Sequence, residues 1–296
     1  MKLRCLLPVL LLAAKLSAQN QAILGEDPVR ISDHVWALMG SPNVGIVVGN
    51  SATLVVDTGL GRRNGATVVR VARKLGPSDQ KLFLTTTHFH PEHASGESAF
   101  PPGTILIRNS VQQRDMEQHG MEMVDMFRSR SPLQKELLAD VSFRKPDVIF
   151  DSEYKLDLGG VTARLFWFGS AHTQGDEVVF IEPDRTLIPG DVVQNKVVPS
   201  IVGDGGPPSS WLAVIDKVAA LKPLHVLPDH SAPGDGSLVA AEKNFITDLR
   251  NRALDFKRKG VSADDAATQI SSEFKAKYTD WPSMNVIGFV RSIYAE

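Results

Sequence analysis

His88-Phe89-His90-Pro91-Glu92-His93 packs three imidazoles and a carboxylate into six residues. It follows Lys81-Leu-Phe-Leu-Thr-Thr-Thr87, an apolar, β-branched run that reads as a buried strand, so the histidines sit on the loop where that strand ends. Loops at strand ends are where sites are built. Neutral imidazole nitrogens and carboxylate oxygens are the donors that zinc prefers, and they suit iron and manganese nearly as well. His88 and His90, two apart, point the same way from an extended segment, while Glu92 and His93 turn towards a neighbouring position, a layout for two metals. A polar loop whose histidines only cap a helix explains poorly why three of the eight histidines fall within six residues.

Further candidates lie far along the chain, each after an expected strand. His172 follows the strand ending at Phe168, Asp191 the strand ending at Ile188, and His230 the strand ending at Leu227. Taken singly, each reads as a turn residue beside Gly or Pro. Together with the first cluster they supply five histidines and two carboxylates, which a purely structural role does not explain.

The elements between these residues alternate. Short strands are expected at 35–38, 44–48 and 53–57, then an amphipathic helix over 66–75, the strand before the histidines, a helix over 94–99 and a strand over 104–107. Residues 109–140 read as a helical insertion with Met116, Met121, Met123, Met126 and Phe127 between charged residues. Such a stripe packs a core, or else forms an apolar lid over the metal loop. The second half repeats the style with strands at 154–158, 161–168, 177–181, 186–188 and 224–227 and a helix over 209–221. From 237 to 296 the pattern is helical, a C-terminal segment expected to pack on the domain spanning 29–236.

Residues 1–18 carry Lys2 and Arg4, an apolar run over 6–14, and small residues at Ser17 and Ala18, the pattern of a cleaved signal peptide. Lys15 stops the run well short of the roughly 20 apolar residues a membrane span needs. The expectation is therefore a periplasmic or secreted protein with no membrane span in its mature form. The one cysteine, Cys5, lies inside that leader, so no disulfide is expected. Removing Lys2, Arg4 and Lys15 takes the formal net charge from -2 to -5, which disfavours nucleic acid as a partner. A small-molecule substrate is expected instead, and the oligomeric state is open.

In order along the chain, Asp57-Thr58-Gly59, His88-x-His90-x-Glu92-His93, His172, Asp191 and His230 resemble the five motifs of the metallo-β-lactamase superfamily, with Glu92 where that family usually has aspartate. The resemblance implies an α/β fold, a four-layer αββα sandwich with a metal site at one edge, here with extra C-terminal helices. It implies a first zinc held by His88, His90 and His172, a second held by Glu92, His93 and His230, Asp191 bridging the two, and Asp57 as a buried carboxylate bonded to the metal loop. The longer Glu92 side chain moves its carboxylate outward by on the order of 1.5 Å, so either the loop compensates or the second ion is shifted, weakened or lost.

Two ions about 3.5–4 Å apart share a hydroxide at neutral pH. The reaction expected is hydrolysis of a β-lactam, lactone, ester or thioester, with Glu92 or Asp191 orienting the hydroxide and moving a proton. Export fits a β-lactamase, yet Gln194 stands where several family β-lactamases place a lysine, and no tyrosine follows Asp191 as in some lactonases. Lys196 or Arg108 is a candidate anion contact, and Trp211, after the loop that follows Asp191, a candidate pocket contact. Two other classes remain: an iron-dependent sulfur oxidase, and a non-catalytic metal-binding or sensor protein.

Overall fold

The computed structural model describes residues 22–77, 79–201 and 205–296; the expected leader, 1–18, lies outside them. Among the described residues the strands form two sheets. The first, in the order β1-β2-β3-β4-β5-β6-β7, contains β1 (Val29–Arg30), β2 (Val35–Leu38), β3 (Val44–Val48), β4 (Ala52–Val56), β5 (Lys81–Thr85), β6 (Ile105–Asn109) and β7 (Val148–Phe150). The second, in the order β13-β12-β11-β10-β9-β8, contains β8 (Glu153–Asp157), β9 (Thr162–Trp167), β10 (Glu177–Ile181), β11 (Thr186–Ile188), β12 (His225–Val226) and β13 (Gly234–Asp235).

Side chains of a strand alternate between its faces, and here both faces are dry. Leu54 and Val56 of β4 join Val47, Leu165, Val179, Ile181 and Ile188 in the core between the sheets, while Val55 faces the other way, with Ile46 and Leu84, onto Val68 and Val71 of the helix Gly61–Leu75. In β10, Val179 and Ile181 enter that inner core, and Val178 and Phe180 pack outward. Their partners are the helices Pro208–Ala220, Ser237–Arg258, Ala263–Lys277 and Ile287–Ala295, through Trp211, Phe245, Ile270 and Phe289. The result is helix, sheet, sheet, helix, with the C-terminal helices sharing one apolar core with the second sheet.

The helical insertion becomes Ser110–Arg130 and Pro132–Leu137. The Asn109 side chain accepts the Gln112 amide and caps the first, and Ser131 accepts the Gln134 amide and caps the second. The helix expected over 94–99 is instead a single turn, Pro91–Ala94, and a 3-10 turn, Glu97–Ala99. Pro91 opens the first turn and the Ser95 hydroxyl closes it by donating to the Pro91 carbonyl. β1, β7 and β13, two or three residues each, are too short to carry a period-two signal. No helix among the described residues is long and apolar enough to cross a membrane.

Candidate metal centre

The seven candidate ligands converge from both sheets at one edge. β5 delivers His88, His90, Glu92 and His93, and β9, β11 and β12 deliver His172, Asp191 and His230 on the segments that follow them. The turn carrying Asp191 needs Gly190: its φ is +59°, and a Cβ there would lie 2.7 Å from the Thr87 Cβ.

His88, His90 and His172 form one group of donor atoms lying within 4.8 Å of one another, and Glu92, His93 and His230 form another. His88 Nε2 lies 3.0 Å from His90 Nδ1, and His172 Nε2 lies 3.3 Å from the same Nδ1. His93 Nε2 and His230 Nε2 are 3.3 Å apart. Nitrogens held about 2.0–2.1 Å from a shared tetrahedral zinc sit about 3.3 Å from each other, so these spacings suit the edges of two coordination shells. Asp191 spans them, with Oδ2 3.2 Å from His172 Nε2 and Oδ1 3.4 Å from His230 Nε2. One buried polar atom of the cluster, Glu92 Oε2, has no hydrogen-bond partner, a costly state for a group that is not to bind anything. The donor set fits a pair of divalent ions.

The electrostatics match the donor set at His88, His90 and Asp191, and depart from it at His93. Burial, and then the neighbouring imidazoles His93 and His90, hold His88 well below the usual histidine range, and burial with His172 does the same for His90, leaving the neutral form a metal requires. Burial by itself would push Asp191 up, but His230, His172, His93 and His90 outweigh it and bring its carboxyl down to about 2. His93 is opposed by burial yet carried up to about 10 by Asp57, with smaller help from Glu92 and Asp229.

Asp57 supports the loop from beneath. It sits at φ +71°, a left-handed conformation that aspartate tolerates better than most residues. Its Oδ1 accepts the Thr87 amide at 2.7 Å, and its Oδ2 lies 3.0 Å from the Thr87 hydroxyl and 3.1 Å from His93 Nδ1. A histidine bound to Asp57 through Nδ1 offers Nε2 outward. Asp229, unremarked in the sequence beside His230, completes this buried group 3.4 Å from His93 Nδ1.

Gln194 sits under the second group. Its Nε2 donates to Asp191 Oδ1 at 3.1 Å, and its Oε1 accepts from the His230 amide at 3.2 Å and the Ser231 hydroxyl at 2.8 Å. In place of a cation for substrate, this position holds an amide that fixes two ligand loops.

The expected substrate contacts are not where the sequence reading put them. Lys196 pairs with Asp280 and does not line the cavity at the cluster. Trp211 is fully buried, donating its indole N–H to the Val192 carbonyl at 3.0 Å. Arg108 is fully buried in an ion pair with Glu97. The cavity, about 190 Å³, is lined instead by Met123, Phe127 and Arg130 of the Ser110–Arg130 helix, facing His90, Glu92, His172, Asp191 and Ser200. Met123, Phe127 and Arg130 recur at a helical spacing of four and three, a signal present in the sequence and masked by the charged residues between them.

A family model described as the metallo-beta-lactamase superfamily matches residues 38–230. The chain is 22% identical over 255 residues, 73% of its length, to a linear primary-alkylsulfatase from Pseudomonas sp. (strain ATCC 19151), of which the match covers 47%. In structure it is similar to a stereoselective inverting sec-alkylsulfatase from Pseudomonas sp. (TM-score 0.69, 13% identity, 90% of this chain and 49% of that one). It is also similar to a metallo-beta-lactamase from Pontibacter korlensis (TM-score 0.59, 20% identity, 76% of this chain and 99% of that one). The chain thus spans about half the length of the alkylsulfatases it matches.

Proposed function

Because the chain belongs to the metallo-β-lactamase superfamily of hydrolases, we propose that it is an exported binuclear zinc hydrolase acting on a small molecule with a carbonyl-type centre: a β-lactam, lactone, ester or thioester. The observation that carries the reading is Asp191, whose two oxygens reach 3.2 Å from His172 and 3.4 Å from His230 and so link the two groups of donors. Two bound divalent ions supply a nucleophile from water near pH 7 and polarise the bond to be cleaved.

The protein's own contribution is positioning and proton handling. His88, His90 and His172 hold one ion and Glu92, His93 and His230 the other, while Asp57 fixes the His93 ring through Nδ1. Asp191 stays ionised because of the imidazoles around it, and orients the attacking water. Glu92, the other carboxylate at the cavity, is placed to take the water's proton and pass it to the leaving group.

A second reading is sulfate-ester hydrolysis. Its support is coverage: the sec-alkylsulfatase matches 90% of the chain against 76% for the Pontibacter metallo-beta-lactamase. The same ligands serve either substrate, since both reactions need an activated water beside the centre attacked and a stabilised leaving group.

The test is elemental analysis of the purified protein beside turnover of a β-lactam, a lactone, an aryl ester and an aryl sulfate. Near two zincs per chain with turnover of one class supports the proposal and names the substrate. One metal and no turnover on any of the four sinks it in favour of a metal-binding protein, and one iron with oxygen uptake turns it towards the oxidase.

A further inference from the structure

Met123, Phe127 and Arg130 form one wall of the cavity whose opposite side is the metal cluster. Phe127 is buried, and its ring centroid lies 6.5 Å from that of His90. The Arg130 guanidinium carbon sits 3.5 Å from the centroid of the Phe127 ring, a cation–π contact that parks the charge on the wall.

Other cations near the site are committed elsewhere. Arg108 is paired with Glu97, Lys196 with Asp280, and Arg128, on the same helix as Arg130, with Asp125 and the Leu138 carbonyl. Among the described residues, Arg130 is the only lysine or arginine lining the cavity, and no carboxylate pairs with it. One of its Nη atoms lies 3.9 Å from the Met126 sulfur, a weak acceptor that leaves its strong donors unspent. Its charge is felt at His90, where it adds a small push to the larger effects of burial and His172.

A planar fork of N–H donors beside an aromatic face and a thioether is complementary to an oxyanion joined to an apolar body. We propose that the Ser110–Arg130 helix selects substrate for this site, taking molecules that carry a carboxylate or sulfate group attached to an apolar body, with Arg130 as the anion contact and Phe127 and Met123 as the apolar surface. This deepens the hydrolase reading and rests on it. The cavity, about 190 Å³, has room for the reacting group and the oxyanion, with the rest of an apolar body lying outward. The half-exposed Met126, next to Arg130, extends the apolar surface in that direction.

The experiment titrates zinc-loaded protein calorimetrically with octanesulfonate, octanoate and 1-octanol, which are not hydrolysed, using wild type, Arg130→Met and Arg130→Lys with metal content measured on each sample. Arg130 is exposed, so neither variant disturbs the core. The expected result is a roughly 10- to 30-fold weaker Kd for the anions in Arg130→Met, partial recovery in Arg130→Lys, and a corresponding fall in the preference for anion over octanol. Whichever of octanesulfonate and octanoate loses more names the oxyanion. Equal changes for the anions and octanol, or anion changes below about twofold, overturn the proposal. Turnover of a neutral aryl ester, run on the same samples, separates the two readings: a wild type with two zincs and turnover but indifferent Arg130 variants loses only the anion contact, whereas a wild type without zinc or turnover loses the hydrolase reading itself.

Discussion

Asp57→Asn tests how the second group of ligands is held. The substitution keeps the side chain's shape and tolerates φ +71°, but replaces one carboxylate oxygen by an amide NH2. Oδ1 can keep the Thr87 amide at 2.7 Å, which places the new donor where Oδ2 stood, 3.1 Å from His93 Nδ1. Two donors then face each other, and the ring relieves the clash by moving its proton to Nε2, the atom 3.3 Å from His230 Nε2. That removes the lone pair a metal would use. Loss of such a supporting partner costs about 10- to 100-fold in metal affinity, or about 1.4–2.7 kcal/mol. Asp229 limits the damage. Burial and, after it, the Asp57 charge hold its carboxyl well above the usual range, so neutralising Asp57 removes one of the forces against its ionisation and makes it a better acceptor 3.4 Å from His93 Nδ1. The single variant is therefore expected near the lower end, about 10-fold, and the double variant with Asp229→Asn near about 100-fold. Competition with a chromophoric chelator at pH 7 should show the first equivalent of zinc bound as in wild type and the second weakened by these factors. Two equivalents bound with unchanged affinities in the double variant would refute the tautomer argument.

Glu92→Asp retracts the carboxylate by about 1.5 Å, far outside the roughly 0.2 Å tolerance of a ligand bond, and should lower zinc content from near two to near one per chain by elemental analysis. Retention of two zincs would refute the premise that the loop holds residue 92 too rigidly to follow the shorter side chain. Trp211→Ala, at a fully buried indole, should cost about 3–5 kcal/mol by urea denaturation; a loss under about 1 kcal/mol would contradict its place in the core. Burial beneath the loop raises the Glu177 carboxyl from 4.5 to about 8. The folded chain then binds a proton that the unfolded chain has released, so this group's contribution to stability falls as pH rises from about 4.5 to about 8. Glu177→Gln should flatten the urea midpoint over that window, and parallel wild-type and variant profiles would count against it.

The sandwich and the convergence of the candidate ligands were legible because both are written in short-range signals. Alternating strands such as β4 and β10 announce themselves by a period of two, and His88, His90, Glu92, His93, His172, Asp191 and His230 each stand just past such a strand. What the sequence hid is pairing across distance. Lys196 looks free until the fold brings Asp280 to it, Arg108 until Glu97 closes over it, and Trp211 looks like a pocket aromatic at a helix start until the C-terminal helices bury it. Arg130 was missed for the converse reason: it ends a helix crowded with charges, and only the fold singles out the one that reaches the cavity unpaired. Asp229 was hidden by its neighbour, since a turn aspartate beside Pro228 and His230 carries no sign that it will be wholly buried.

The convergence of ligands from both sheets has a mechanical side. His93 and His230 are 137 residues apart in the chain, so an ion gripped by both closes a loop of that length and fastens one sheet to the other. The single cysteine of the sequence is Cys5, so no disulfide does this fastening among the described residues. Metal bound only by the folded state adds its binding free energy to folding. A metal held there would then be a clasp as well as a reagent, and stripping it would open the seam between the sheets to proteases in the same event.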